Sequence, residues 1–269
     1  MLLLWREAAH RLMRIDGKVV LITGASEGIG AACAAEFAAS GARLALTARN
    51  EDKLRRSAPR DAFLVTGDLT SDIDRRTIID RTLAHYGAID ILINNAGAGF
   101  YQPSWEMPID EVRRLMDLNF FAPLGLIQLV TPHMRERRSG MIVNVGSIAG
   151  KIPLPWMSIY SVSKYALGAL TDCQRMELKR DGIHTLIVCP GYVKTNFQKN
   201  AAYGQPPDKI QKSKRFAITP ETCARSIRHG VERDSRTIVT PRAGWLFVLA
   251  MRLFPSLVEG RMGSMNGTA

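Results

Sequence analysis

Short apolar runs alternate with longer amphipathic stretches along most of the chain. The runs are rich in Val, Ile and Leu and lack polar alternation, which is typical of strands covered on both faces. They predict strands over residues 19–23, 43–48, 62–66, 89–94, 141–146, 184–189 and 237–240. The stretches between them predict helices over residues 29–40, 51–57, 72–86, 110–137, 158–180 and 220–233.

This alternation of strand and helix predicts an α/β fold, a doubly wound parallel sheet of the Rossmann type with helices on both faces. The 269 residues contain no internal repeat and no linker, so we expect a single domain over 1–269. An amino-terminal extension (1–15) precedes the first strand, and an apolar and basic tail (242–269) follows the last. The irregular stretch 191–219 is expected to be a lid over the substrate, because so long a loop in a compact domain is usually functional.

The composition is that of a globular protein, with 46% apolar and 23% charged residues. No segment approaches the ~20 apolar residues of a membrane span, and the start of the chain turns polar too early for a signal peptide. We therefore expect a cytoplasmic protein. Cys33, Cys173, Cys189 and Cys223 lack the spacing of a metal site, so they are expected to be buried free thiols, with no metal bound.

Positive charge is concentrated towards the carboxyl end. The net charge is +11, and residues 194–269 carry 13 Lys or Arg against 5 Asp or Glu. Two interpretations stay open: attraction to a phosphate-bearing substrate or an anionic membrane, and a simple solvated surface. No motif or aromatic interleaving typical of nucleic-acid binding accompanies the charge, so we expect no nucleic-acid partner.

A glycine-rich turn, Gly24-x-x-x-Gly28-x-Gly30, joins the first predicted strand to the first helix. Gly24 would permit the tight turn, Gly28 the approach of backbone to a pyrophosphate, and Gly30 the packing of helix on strand. The free N–H groups and positive dipole at the start of the helix suit phosphates. The turn predicts a dinucleotide site, with a plain strand–helix turn as the alternative.

The second predicted strand ends without a carboxylate for the adenosine ribose. Ala48 stands there and Arg49 follows, and an Arg suits a 2′-phosphate whereas an acid suits a free 2′-hydroxyl. Glu51 and Asp52 compete for the ribose, but they follow the good N-cap Asn50 and fit the first turn of the next helix. The pattern predicts NADP(H) as the preferred cofactor, with NAD(H) as the alternative.

Tyr160 and Lys164 are four positions apart in a predicted helix and so lie on the same face. A nearby ammonium is expected to lower the pKa of a phenol, which makes the phenol a better proton donor at neutral pH. Ser147 can point a hydroxyl at the same substrate atom. A Tyr-x-x-x-Lys pair alone is common, but together with the glycine-rich turn it predicts hydride transfer.

Pro123 follows Asn119 by four residues in the longest predicted helix. Because proline has no N–H, the carbonyl of Asn119 loses its helical partner and is free to hold a water that reaches Lys164. The alternative is that Pro123 only bends the helix.

These motifs, with Thr23 before the first glycine, Asn94-Asn95-Ala96-Gly97 and Pro190-Gly191, stand in the order typical of the short-chain dehydrogenases/reductases. The chain resembles that family over about residues 16–241. The resemblance implies a nicotinamide dinucleotide cofactor and the interconversion of a carbonyl and an alcohol. It implies catalytic roles for Asn119, Ser147, Tyr160 and Lys164, with Ser147 and Tyr160 also contacting the substrate. It implies cofactor contacts for Gly24, Ser26, Glu27, Gly28, Ile29, Gly30, Arg49, Asp68, Leu69, Asn95, Ala96, Gly97, Tyr160, Lys164, Pro190, Gly191, Val193 and Thr195.

One position departs from the family pattern. Many NADP-using members carry Lys or Arg just before the second glycine, and this chain has Glu27, which leaves Arg49 as the main partner for a 2′-phosphate. Three of the implied roles have plainer alternatives. Ser147 would merely cap its strand, Asp68 would cap the helix after Thr70, and Asn94 and Asn95 would be ordinary turn residues at the end of a strand.

The expected substrate pocket is mostly apolar and suggests a lipid-like, steroid-like or aromatic carbonyl. Its expected residues are Phe100, Leu154, Trp156, Met157 and Phe197. A second enzyme hypothesis is a 3-oxoacyl-carrier-protein reductase, whose basic lid would meet an acidic carrier through Lys194, Lys199, Lys209, Lys212, Lys214 and Arg215. A non-catalytic nucleotide-binding regulator is the third, and retention of all four catalytic positions disfavours it.

The helix predicted at 158–180 is apolar on both sides, with Val162, Ala166, Ala169 and Cys173 opposite the catalytic edge. Such a helix is usually buried on both sides, so we expect a homodimer or homotetramer that assembles through this helix and the helix predicted at 110–137. The alternative is a monomer in which an extra loop covers the face. The apolar segment from Gly244 to Phe254 predicts a further helix too short to span a bilayer. It is expected at a subunit interface, at the pocket rim, or in peripheral contact with a membrane.

Overall fold

A computed structural model describes residues 13–204 and 217–263. Seven parallel strands form one sheet in the order β3-β2-β1-β4-β5-β6-β7. The strands are β1 (Val19–Thr23), β2 (Arg43–Thr47), β3 (Phe63–Leu64), β4 (Ile91–Asn94), β5 (Gly140–Val145), β6 (Ile183–Pro190) and β7 (Thr237–Thr240). The chain changes direction of winding between β1 and β4, and there the carboxyl ends of the strands open a crevice for a ligand.

Helices cover both faces of the sheet, which confirms the predicted α/β fold. They are α1 (Gly28–Ala39), α2 (Glu51–Ser57), α3 (Asp72–Tyr86), α4 (Ile109–Met116), α5 (Ala122–Glu136), α6 (Ser158–Glu177), α7 (Pro220–Glu232), α8 (Gly244–Leu253) and α9 (Pro255–Gly263). Along β1, Val20 and Ile22 pack in the core that includes α1 and α7, whereas Leu21 packs in the core that includes α3 and α5. Both faces of the strand are buried, so its sequence is continuously apolar.

Three predicted elements differ from the observed ones by two residues or more at one end. The strand predicted at 89–94 begins only at Ile91. The strand predicted at 62–66 is only Phe63–Leu64, because the N–H of Ala62 bonds to the carbonyl of Pro59 in a turn and β3 lies at the edge of the sheet. The helix predicted at 158–180 ends at Glu177. A short turn of 3₁₀ helix, Lys179–Asp181, follows and ends at Gly182, which has a φ of +71°.

One continuous helix, Ile109–Glu136, comprises α4, a π-helical turn at Asp117–Phe121, and α5. Among the described residues it alone is long and apolar enough to cross a membrane, with a mean hydropathy of 1.2. Leu126, Ile127 and Val130 on its inner side pack into the core with the sheet. The apolar face of this helix is therefore used inside the fold.

The cysteines and the ends of the chain complete the comparison with the sequence. Cys33, Cys189 and Cys223 are buried, but Cys173 is exposed on α6, so the prediction of four buried thiols is wrong at that position. No cluster suited to a metal ion occurs within 13–204 and 217–263. The apolar start of the chain, most of the extension 1–15, and Lys209, Lys212, Lys214 and Arg215 of the predicted lid lie outside the described residues.

Candidate active site

A cleft of about 1410 Å³ opens at the carboxyl ends of the central strands. Its lining includes most of the residues that the sequence predicts at the cofactor: Gly24, Ser26, Glu27, Gly28, Ile29, Arg49, Asp68, Leu69, Asn95, Ala96, Gly97, Tyr160, Lys164, Pro190, Gly191, Val193 and Thr195. Ser147 also lines it. Gly30 and Asn119 are buried beneath this surface and support it from below.

The turn between β1 and α1 leaves no room for side chains at two of its glycines. Gly24 has a φ of +64°, and a Cβ there would lie 2.9 Å from the Cα of Ala96. A Cβ on Gly30 would lie 2.2 Å from the carbonyl oxygen of Gly24. Backbone is therefore exposed to the cleft at the start of α1, where N–H groups and the helix dipole suit a phosphate. This cradle fits the pyrophosphate of a dinucleotide.

Thr23 and Asn95 tie the end of β1 to the end of β4. The hydroxyl of Thr23 accepts the N–H groups of Asn95 and Ala96 at 2.9 and 3.0 Å, and the Asn95 amide donates to the carbonyls of Thr23 and Gly24. Asn95 is therefore more than a turn residue. The positioning part played by Thr23 was missed among the candidate site residues, although its place directly before Gly24 was a signal.

The adenosine end of the cleft combines one exposed cation with one acid. Arg49 follows β2 and is exposed. Asp68 accepts hydrogen bonds from the N–H and hydroxyl of Thr70, whereas the cap of α3 is Ser71, so the alternative that Asp68 caps this helix is wrong. Burial acts to raise the pKa of Asp68, but the Thr70 hydrogen bonds and the charge of Arg49 outweigh it and the pKa is lowered.

The start of α2 shows how the residues after Arg49 are used. Asn50 caps α2 by accepting the N–H of Lys53 at 2.8 Å, as predicted. Glu51 bonds to Arg55 at 2.7 Å. Lys53 itself lines the cleft beside Arg49 and is a second cation that the sequence reasoning missed.

Tyr160, Lys164 and Ser147 meet at the inner end of the cleft. Tyr160 and Lys164 are 6% and 4% exposed. The Ser147 side chain is hydrogen-bonded to the phenol of Tyr160 and also accepts the N–H of Ala149 at 3.1 Å, so it faces the cleft and caps the short 3₁₀ turn Ile148–Gly150. The ammonium of Lys164 donates to the carbonyl of Val145 at 3.2 Å and lies 5.8 Å from the centre of the Tyr160 ring.

Burial controls the protonation of both groups. It raises the pKa of Tyr160 to about 12, although the Ser147 hydrogen bond acts in the opposite direction. It also lowers the pKa of Lys164 to about 8. The prediction of a lowered phenol pKa is therefore wrong for this structure. The physical reason is that an apolar surrounding disfavours both charged forms, and the ammonium contacts a carbonyl beneath the ring.

Asn119 lies inside the π-helical turn. The N–H of Ala122 bonds to the carbonyl of Asp117, five residues back, and Pro123 next to it has no N–H to donate. The Asn119 side chain bonds both backbone groups of Ala98, at 2.9 and 3.0 Å. The π-helical turn therefore fixes Asn119 against the segment that follows β4.

Gly97 separates Asn119 from Lys164. A Cβ on Gly97 would lie 3.0 Å from the Asn119 side-chain oxygen and 3.4 Å from the Lys164 ammonium. A side chain at this position would therefore press on both groups, whereas glycine lets them share one side of the cleft.

An apolar wall adjoins Tyr160. Phe100, Met157 and Tyr160 are buried in one cluster, with Leu154 and Phe197 packed on it. The centres of the Tyr160 and Phe197 rings are 5.8 Å apart. Trp156, also predicted here, does not line the cleft: its φ is +64°, and its carbonyl accepts the N–H of Gln102.

A family model described as short chain dehydrogenase matches residues 18–205. Dehydrogenase/reductase SDR family protein 7-like of Anopheles gambiae is 32% identical, over 98% of this chain and 87% of that protein. Dehydrogenase/reductase SDR family member 7B of Danio rerio is also 32% identical, over 98% of this chain and 91% of that protein. A solved short-chain dehydrogenase from Streptomyces avermitilis superimposes with a TM-score of 0.81 at 29% identity, covering 94% of this chain and 98% of that one.

The chain belongs to the short-chain dehydrogenase family. It is accordingly an oxidoreductase that acts on CH–OH groups with a nicotinamide cofactor.

Proposed function

We propose that the protein interconverts an apolar ketone or aldehyde and its alcohol with NADP(H), and that reduction is the favoured direction. The observation that carries the proposal is the buried Tyr160 at the junction of the cleft and the apolar wall. A substrate packed against that wall would place its carbonyl next to the phenol of Tyr160, the hydroxyl of Ser147 and the inner end of the dinucleotide site.

In this mechanism the bound nicotinamide supplies or accepts the hydride. Tyr160 donates its phenolic proton to the carbonyl oxygen. The phenol is protonated at neutral pH, although burial, which raises its pKa to about 12, makes it a weaker acid than a free tyrosine. Ser147 donates a hydrogen bond to the same oxygen as negative charge develops on it. Both groups act on one atom, so they define where the carbonyl must lie.

Lys164 and Asn119 serve the return of the proton. Because the pKa of Lys164 is lowered to about 8, its ammonium releases and regains a proton within the physiological range. Asn119 lies across Gly97 from that ammonium, and Pro123 leaves the Asn119 carbonyl without its usual helical donor. We therefore assign Asn119 to a water-mediated relay, and Lys164 to the cofactor ribose as well.

The preference for NADP(H) rests on charge at the adenosine end. Arg49 and Lys53 both line the cleft where β2 ends, and Ala48 offers no carboxylate to a 2′-hydroxyl. Glu27 is the acid that argues against a 2′-phosphate, but both of its oxygens accept hydrogen bonds from Asn196 and Asn200. The cations are therefore the groups left to meet the extra phosphate.

Assembly is proposed through the outer face of α6. Val162, Tyr165 and Met176 on that face are 52%, 42% and 72% exposed, and Cys173 joins them. Large apolar side chains with this exposure suit a partner surface. We propose a homodimer or homotetramer built on this face.

The function is tested by following NADPH and NADH oxidation across ketones, aldehydes and acyl thioesters of graded polarity. We expect kcat/KM to rise by up to about fourfold for each CH₂ that enters the pocket, from ~0.8 kcal/mol per buried CH₂. Fastest turnover with charged substrates, or none with any, would contradict the proposal.

Two variants separate chemistry from fold in the same assay. Tyr160→Phe should lower kcat by about 10²–10⁴-fold, the usual contribution of a general acid, and leave cofactor binding intact. Tyr101→Phe is the matched control, because Tyr101 is buried in the same cluster. Equal losses in both variants would remove Tyr160 from the mechanism.

A further inference from the structure

Residues 193–203, called here the cover segment, run along the open side of the cleft and are held at both ends. At one end Val193 pairs with Ile218, and the N–H of Lys194 donates to the Ile218 carbonyl at 2.9 Å. At the other end Tyr203 pairs with Phe100, and its carbonyl accepts the N–H of Tyr101 at 3.0 Å. The middle of the segment lines the cleft between these anchors.

Glu27 is the contact that holds the middle. It stands at the N-cap position of α1, yet its side chain makes no capping bond there. One carboxylate oxygen accepts from the Asn200 amide at 2.7 Å and the other from the Asn196 amide at 3.3 Å. The N–H of Asn200 also donates to the carbonyl of Asn196 at 2.9 Å, so one turn presents both amides to one carboxylate.

A second contact brings the cover segment close to the glycine-rich turn. A Cβ on Gly28 would lie 3.1 Å from a methyl carbon of Thr195. Gly28 also has a φ of +58°, which glycine adopts without strain. The segment therefore lies directly on the backbone that cradles the phosphates.

The same segment carries part of the substrate wall. Phe197 follows Asn196, and its ring centre lies 5.8 Å from that of Tyr160. A shift of the turn that bears Asn196 and Asn200 would therefore move Phe197 relative to Tyr160.

We propose that Glu27 is a positioning residue which clasps the cover segment over the nucleotide cleft and thereby sets Phe197 against Tyr160. Cofactor release and loss of the substrate wall are then one event, because both need the Glu27 bonds to open. The proposal rests on a nicotinamide cofactor in the cleft and is independent of the proposed preference for NADP(H). Many NADP-using members of the family carry a cation at this position, which suits a 2′-phosphate. The clasp would give the acid Glu27 a different function there.

The test exchanges donor and acceptor across the contact. Glu27→Ala removes both hydrogen bonds, and Asn200→Asp sets two carboxylates against each other. The double variant Glu27→Gln with Asn200→Asp restores an amide facing a carboxylate and leaves the net charge unchanged. The dissociation rates of NADPH and of NADH are measured for each by the loss of nicotinamide fluorescence after displacement.

Both single variants should release NADPH and NADH faster by about 5- to 30-fold, the effect of losing one or two exposed hydrogen bonds. The double variant should return to within about threefold of the parent. The KM for substrate should rise in the single variants and recover in the double variant, because Phe197 moves with the segment. Failure of the double variant to recover overturns the proposal.

A readout without cofactor completes the design. Hydrogen exchange of the backbone amides of residues 194–203 should be faster in Glu27→Ala than in the parent, and should slow again in the double variant. Unchanged exchange in Glu27→Ala contradicts the clasp. Slower release of NADPH from Glu27→Ala with NADH release unchanged also contradicts it, since Glu27 would then act by repelling the 2′-phosphate. The NADPH and NADH arms thus separate failure of the clasp from failure of the proposed cofactor preference.

Discussion

Arg49 is the side chain on which the proposed choice of cofactor depends most. Arg49→Ala should weaken NADPH binding by about 1.5–3 kcal/mol, the range for a hydrogen bond to a charged group, and leave NADH binding nearly unchanged. Titration of each cofactor by fluorescence measures both constants. Arg55→Ala is the matched control, because Arg55 is a neighbouring exposed cation that pairs with Glu51 and does not line the cleft. Equal weakening of NADPH and NADH would contradict the assignment.

The sequence predicts single site residues correctly where the backbone conformation dictates the residue type. Gly24 and Gly30 were predicted from spacing alone, and the close contacts at both positions explain why that spacing is informative. Properties that depend on burial in the folded protein were predicted wrongly. The pKa of Tyr160 depends on the surroundings of the phenol, and the exposure of Cys173 depends on which face of α6 meets the core. Neither the pKa nor the exposure can be predicted from residues that are close in sequence.

The contacts of Glu27 are a further property that the sequence does not predict. Its sequence position marks it as a departure from a pattern, but its partners Asn196 and Asn200 come from the far half of the chain. Only the folded arrangement of α1 and the cover segment reveals what the acid contacts.

The helix α8 has two apolar faces with different surroundings. Val248 and Met251 pack with Ile152 near the substrate pocket, whereas Leu246 is 72% exposed on the outer face. Met251→Ala should therefore lower the free energy of unfolding by about 2–4 kcal/mol, and Leu246→Ala by less than about 0.5 kcal/mol. Urea unfolding of both variants checks this. A cost for Leu246→Ala as large as that for Met251→Ala would mean that the outer face is covered.

What the outer face of α8 contacts is tested with Leu246→Gln combined with Leu249→Gln. We expect this variant to keep its fold and to form a smaller assembly in gel filtration, because exposed Leu side chains suit a partner surface and only the interface proposed on α6 would remain. Co-sedimentation with anionic vesicles is run in parallel. Loss of vesicle binding with unchanged assembly would assign the face to a membrane surface instead.

Long elements were the easiest to predict and their ends the hardest. The span of α3 agrees with the prediction because Ser71 caps its start and Gly87, with a φ of +74°, ends it. β3 was overestimated at its start because Ala62 belongs to a turn, in which its N–H donates to the carbonyl of Pro59. The π-helical turn was anticipated only as a possible bend at Pro123, because proline shows which N–H is missing but not how the helix adjusts.

Burial of Lys164 should be visible in the stability of the whole cofactor-free protein. Its pKa is about 8 in the folded chain, against 10.5 for an ordinary exposed lysine such as the unfolded chain presents. Between these values the unfolded chain holds a proton that the folded chain has released, so this group makes stability rise with pH from about 8 to about 10.5. Below pH 8 the burial of the charged Lys164 ammonium lowers the free energy of unfolding by its full amount, on the order of 3 kcal/mol.

Lys164→Met removes this titration. The variant should gain stability relative to the parent at pH 7, and the difference should shrink as the pH approaches 10.5. Unfolding of both proteins in urea from pH 7 to 10.5 measures it, and groups such as Tyr160 that titrate in both proteins cancel in the difference. A difference that stays constant with pH would show that Lys164 is not charged within an apolar surrounding.

The strand order also governs how the chain reaches this structure. Within residues 13–204 and 217–263, the sheet contains no pairing between strands joined by a tight turn: Ala45 pairs with Phe63, Val20 with Ile91, and Ile187 with Thr237. Each pair of strands can form its hydrogen bonds only after the helix between them in the sequence has been synthesised. Folding through contacts between residues so distant in sequence is slow. On the ribosome, β1 would remain without its inner neighbour until residue 94 has emerged. The arrangement that opens a crevice beside β1 thus leaves that apolar strand exposed to aggregation early in synthesis.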